Sequence, residues 1–185
     1  MAVDIFEPLK DLQGNKLKSA SWYRNAVSLI ADRSSPSDLF ASGKLLGRPS
    51  AGRMSMFFYD PKFKKTLPYY DTFPLVLPLE KYTDGFLGIN LHYLPINLRI
   101  RLLDRLVDYS NNTKFDESTR LAVDYSKLKN ISLIKPTLKR YLAGRVKTQF
   151  RRIDADEFTV AALLPVARFK KASASEVYKD SRAMI

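Results

Sequence analysis

Cysteine is absent from the 185 residues, and histidine occurs once, at position 92. The first absence excludes a disulfide framework and thiolate metal sites; the second leaves no partner with which His92 could build an ordinary zinc centre. A lone histidine in Gly88-Ile-Asn-Leu-His-Tyr-Leu-Pro95 reads as a structural residue bonded to a backbone carbonyl or a tyrosine. Long apolar runs are missing too: nothing approaches the roughly 18 residues that span a bilayer. The start, Met1-Ala-Val-Asp-Ile-Phe-Glu7, lacks the basic-then-apolar order of a signal peptide, so a protein made in a reducing cytoplasm is expected. Phosphate loops are also lacking, because Gly43-Lys44 has no glycine-rich approach and Gly-x-Gly-x-x-Gly does not occur. The loop carboxylates Asp60, Asp71 and Asp84 leave a metal-dependent nuclease as a distant alternative, with Asp71 read as a turn residue. No enzyme, cofactor or small-molecule substrate is expected.

Positive charge is plentiful: 31 Lys and Arg stand against 19 Asp and Glu, a net +12. Residues 96–150 hold twelve basic and five acidic residues, +7, so the excess is concentrated there. Such an imbalance attracts polyanions or acidic protein faces. Lys135, Lys139, Arg140, Arg145, Lys147, Arg151 and Arg152, with Lys170 and Lys171, are the candidate polyanion- or partner-binding residues. Aromatics stand beside some bases: Phe63 among Lys62, Lys64 and Lys65, and Tyr141 and Phe150 beside Arg140, Arg151 and Arg152. Single-strand binders stack bases on such rings, although core packing accounts for most aromatics.

The chain length suits one core rather than two. Residues 1–52 read as an extended arm with a short helix over 17–31, because Pro, Ser and Gly crowd positions 33–52 and few positions repeat at a core-facing period. A single α+β domain is expected over 53–185. Its small antiparallel sheet or partial barrel, about residues 53–91, comes from three runs, Met54–Tyr59, Phe73–Leu79 and Gly85–Leu91, with Pro74 and Pro78 confining the second to an edge or to its ends. From Pro95 the apolar period becomes helical, with Leu98, Leu102, Leu103, Leu106 and Val107 on one face and Arg99, Arg101 and Arg105 on the other. Further helices are predicted over 117–131, 136–149, 156–164 and 174–183, with a short strand over 150–153. Asp154 or Asp156 is the expected cap of the fourth of these five helices. In the helix over 136–149, Leu138, Leu142 and Val146 would face inward and Lys139, Arg140, Arg145 and Lys147 outward.

Met56-Phe-Phe-Tyr-Asp-Pro-Lys62, Leu67-Pro-Tyr-Tyr-Asp-Thr-Phe-Pro-Leu-Val-Leu-Pro78 and Gly85-Phe-Leu-Gly-Ile-Asn-Leu-His-Tyr-Leu-Pro95 resemble segments of a structural and morphogenesis family of T4-type contractile-tailed bacteriophages. The likeness continues through Thr119-Arg-Leu121, Arg140-Tyr-Leu142 and Leu163-Leu-Pro165, with Phe169 and Asp180-Ser-Arg182, covering roughly 50–183. It implies a non-catalytic virion protein made in the host cytoplasm, a structural subunit of the tail, baseplate or neck that docks on other virion proteins. Its alternative is a DNA-binding protein that protects packaged genome ends. No catalytic residue carries over from the resemblance, and no membrane partner is implied.

Overall fold

The computed structural model describes residues 6, 20–108, 128, 130–154 and 157–185. Among them are five α-helices: α1 (Ala20–Ile30), α2 (Pro36–Ser42), α3 (Ile96–Asp108), α4 (Phe158–Leu163) and α5 (Ala174–Met184). The strands are β1 (Leu45–Leu46), β2 (Ser55–Met56), β3 (Tyr70–Asp71), β4 (Leu75–Tyr82), β5 (Gly85–Asn90), β6 (Leu138–Leu142), β7 (Phe150–Arg152) and β8 (Phe169–Lys170). Six form one antiparallel sheet in the order β1-β7-β2-β4-β5-β6, and β3 pairs with β8. The fold class is α+β as expected.

Alternating side chains of the central hairpin bury both faces of the sheet. Leu75, Leu77 and Ile89 enter a large aliphatic core with Leu102, Leu106, Val160 and Leu164. Val76 and Phe86 enter a smaller aromatic cluster with Phe57, Tyr59, Tyr141 and Phe150. Phe57 is its hub, with ring centroids 4.9 Å from Phe150 and 5.3 Å from Tyr141. Gly85 is required where β5 meets β6, because a Cβ there would stand 1.9 Å from the Tyr141 carbonyl oxygen.

Helix starts follow local chemistry. Leu98 and Arg99 donate to the Pro95 carbonyl at 2.9 and 3.1 Å at the head of α3. Ser35 accepts from the Asp38 amide before α2, and Ser173 with Glu176 forms a capping box on α5. The fourth predicted helix is realised as α4, but Asp154 is not its cap: it turns its carboxylate to Lys44 and Arg152, and the N-cap residue Glu157 makes no side-chain capping bond. Asp156 and most of the helix predicted over 117–131 lie outside the described residues.

Three expectations need correction. The helix predicted over 136–149 is an edge strand, β6, followed by a 3-10 turn at Ala143–Arg145. The four-residue spacing of Leu138, Leu142 and Val146 fits a helix face, yet five residues of β5 pair in register with β6, and that long-range ladder overrides local period. Second, the strand containing Pro78 is interior rather than an edge. It is tolerated because β2 pairs only with Leu75 and Val76, and the register shifts between Pro78 and Glu80, so no ladder donor is demanded at the proline. Third, the segment before residue 53 supplies more core than its turn formers suggested: Phe6, Ala26, Ile30 and Leu39 are buried, α1 packs on α4, and β1 pairs with β7.

Candidate nucleic-acid interface

Asp60-Pro61 breaks the chain after the aromatic run and starts a tight excursion that returns at Tyr69. Thr66 and Leu67 both donate to the Phe63 carbonyl at 3.0 Å, which coils the loop and leaves Lys62, Phe63, Lys64 and Lys65 exposed. Two outside segments hold it. The Asp60 amide donates to the Arg145 carbonyl at 3.1 Å, and the Lys147 amide donates to the Phe58 carbonyl at 2.8 Å. On the far side, Lys171, in the left-handed region at φ 70°, places its Nζ 2.9 Å from the Lys65 carbonyl and 2.8 Å from that of Leu67. Residues distant in sequence thus gather around one basic loop.

Among the loop's lysines, Lys64 pairs with Asp60 at 2.8 Å. That interaction holds the Asp60 carboxyl below the usual carboxylate range and raises the Lys64 ammonium. Lys62, Lys65, Arg145 and Lys147 form no ion pair among the described residues, although the charges of Arg145 and Lys147 also act on the Asp60 carboxyl.

The other sequence candidates divide. Lys135 is exposed on the turn after Ser132–Ile134, and Lys170 is exposed on β8 opposite Tyr70. Arg140 is committed to the hairpin tip, pairing with Asp84 while its guanidinium stacks 4.1 Å from the Tyr82 centroid. Arg151 is only 1% exposed. Its Nε donates to the Leu39 carbonyl at 2.9 Å, and Gly43 is needed beside it because a Cβ there would fall 1.7 Å from that Nε. Arg152 is half-buried against Asp154. Arg151 and Arg152 therefore brace the β1–β7 edge rather than offering free charge. The single helical face proposed for Lys139, Arg140 and Lys147 does not exist, since adjacent residues of a strand point to opposite sides. Missing from that set were Lys62, Lys64 and Lys65, although the run Lys-Phe-Lys-Lys between two prolines was a readable signal.

Beside the loop opens a cavity of about 470 Å³, lined by Tyr59, Phe63, Tyr69, Tyr93, Lys139 and Tyr141 among others. Tyr93 and Tyr141 are buried, whereas Phe63 at the mouth is 61% exposed. Hydrogen bonds fix the walls: Tyr59 Oη accepts from the Leu142 amide and Tyr141 Oη from Asn90 Nδ2, each at 3.1 Å. Lys139 Nζ lies 4.0 Å from the Tyr93 centroid, a cation-π contact, with no carboxylate partner among the described residues. Burial pushes this ammonium down to about 8.

Asp71 and His92 form the support beneath the cavity. Asp71 accepts from the amides of Phe73 and Arg168 at 3.0 and 3.2 Å, from Asn90 Nδ2 at 3.2 Å, and from His92 Nδ1 at 2.8 Å. The Phe73 bond is the turn role expected of Asp71; the other donors make it a buried node as well. Burial works against its ionisation, but His92 and the remaining donors outweigh that and hold the carboxyl below its ordinary range. His92 is fully buried, which favours its neutral form, and its partner is this carboxylate rather than a carbonyl or tyrosine. Asp60, Asp71 and Asp84 do not converge: they serve Lys64, His92 and Arg140 respectively. No group of three or more metal-ligating side chains occurs among the described residues. No helix among them is long and apolar enough to cross a membrane.

Residues 12–181 match the family described as Phage T4 terminal DNA protecting protein. The chain belongs to this family. The family's description agrees with the genome-end alternative drawn from the sequence better than with a tail, baseplate or neck subunit. Comparison with curated proteins and with solved structures gives no match.

Proposed function

We propose that this protein binds the ends of phage DNA without catalysis, touching phosphates through the basic loop and so blocking access to the termini. The observation carrying this reading is the convergence of Lys62, Lys65, Arg145 and Lys147, none of them in an ion pair among the described residues, around one loop. Membership of a terminal DNA protecting family supplies the class of ligand. Ammonium groups on flexible stems suit phosphate neutralisation, which is independent of sequence and strongly salt-dependent. A protein with this function would reside on the packaged genome.

The test combines binding with protection. Purified protein should bind a linear duplex more tightly than the same duplex closed by hairpins at both ends, and affinity should fall steeply with salt. It should also protect the linear form from a processive exonuclease while leaving the DNA uncut in magnesium. Equal affinity for open and closed duplexes, or DNA cleavage by the protein itself, would overturn the reading.

A further inference from the structure

The geometry points to the aromatic cavity beside the basic loop as the seat of an unpaired terminal nucleotide, its base against the tyrosine and phenylalanine rings and its phosphate on Lys139. This rests on the end-binding function proposed above and adds what that function needs. Phosphate contacts position a protein on DNA but carry no information distinguishing an end from the interior. Some contact must use a feature that only an end offers. A terminal base lacks a stacking neighbour on one side and frays at little cost, whereas an internal base must be unstacked and flipped.

The cavity has the chemistry to take such a base. Its volume of about 470 Å³ falls within the range of small-ligand pockets. Rings of several orientations line it: Tyr69 and Tyr93 have centroids 6.0 Å apart at 38°, and Tyr59 and Tyr141 stand edge to face at 4.9 Å. Every base has a π-face, so a ring-lined seat is indifferent to sequence. A lipid tail or apolar peptide would also suit the rings, but neither would match the charge. Lys62 and Lys139 line the same cavity, and neither has a carboxylate partner among the described residues. The carboxylate that lines the cavity, Asp71, has both oxygens engaged by internal donors, and Asp180 is bonded to Tyr69 of the wall. Burial holds Lys139 in a state that an incoming phosphate would stabilise as the ammonium.

The experiment uses the full chain and a linear duplex with an unpaired 2-aminopurine at its terminus. A second duplex carries the fluorophore unpaired at mid-length, and a third is closed by hairpins. Stacking quenches 2-aminopurine, so wild type should quench the terminal probe and leave the internal one bright. Two variants are chosen to keep the fold: Phe63→Ala removes an exposed ring, and Lys139→Met keeps an apolar stem while deleting the charge. Each should weaken binding to the open duplex by about tenfold or more and abolish the quench, with affinity for the closed duplex unchanged. Wild-type affinity and quenching in both variants would overturn the role of the cavity while end binding stands. A wild type that binds open and closed duplexes equally would overturn end binding, and the cavity's role with it.

Discussion

Two sets of cations in this molecule have opposite fates. Arg99 and Arg151 lie in the interior, 2% and 1% exposed. Arg99 donates to the carbonyls of Leu94, Ala162 and His92 at 2.7, 2.9 and 3.4 Å and to Tyr178 Oη at 2.8 Å, tying α3, α4 and α5 together. Lys62, Lys65 and Lys147, by contrast, stand exposed around one loop. The planar guanidinium has five donors in a fixed fork, so carbonyls at chain turns can satisfy it without a counter-ion; an ammonium on a flexible stem serves better as an exposed point charge. Net charge therefore overstates the charge available to a partner, because part of it binds the fold together.

The comparison breaks most clearly at the interior set. Arg99→Ala strands three carbonyls and a tyrosine and should cost about 3–5 kcal/mol, read as a lower urea midpoint. DNA affinity per folded molecule should be unchanged. Arg99→Lys should rescue little, since one ammonium cannot reproduce the fork. If Arg99→Ala weakened DNA binding but not stability, the division into interior and surface cations would fail.

Asp71→Ala tests the other buried charge. Removing an acceptor that serves four donors should cost about 3 kcal/mol. Asp71 has its pKa depressed in the folded state, so its contribution is present above the ordinary carboxylate range and is lost as pH falls through the folded value. His92, pushed down by burial, adds a loss in the same direction as pH falls below about 6.5, because the unfolded chain then binds the proton more readily. Denaturation at several pH values should show a steeper acid limb in wild type than in Asp71→Ala.

At the surface set, Lys62→Ala, Lys65→Ala and Lys147→Ala together should leave thermal stability within about 0.5 kcal/mol of wild type. The slope of log affinity against log salt should become shallower by about 0.9 for each phosphate that is no longer neutralised. Binding titrations at four salt concentrations measure this, and an unchanged slope would show the loop to be merely solvated.

Lys139, partly buried and without an ion pair among the described residues, lies between the two sets. Its folded pKa of about 8 is below that of the unfolded chain, so charging it opposes folding below that value, and the opposition fades as pH rises towards about 10.4. Lys139→Met should therefore raise stability at neutral pH by about 1–2 kcal/mol and flatten the rise in stability across that window. Urea unfolding at pH 7 and pH 10 checks both.

The sequence by itself determined the fold class, the β4–β5 hairpin, helices α3 and α5 and the approximate place of α4. In those segments the apolar period and the flanking prolines agree with the structure within a few residues. It also exposed the basic excess and the motifs of a phage family. Only the tertiary structure decided that 138–142 is a strand, because a leucine every four residues fits either form until β5 supplies a ladder. Burial of Arg99, which shares its helix with exposed Arg101 and Arg105, was equally hidden: its acceptors come from residues as distant as Ala162 and Tyr178. The candidate site was the least legible part. Lys-Phe-Lys-Lys could be seen in the loop, but its union with Tyr93, Lys139 and Tyr141 depends on strand pairing across about fifty to eighty residues, and a cavity exists only once those partners are set in register.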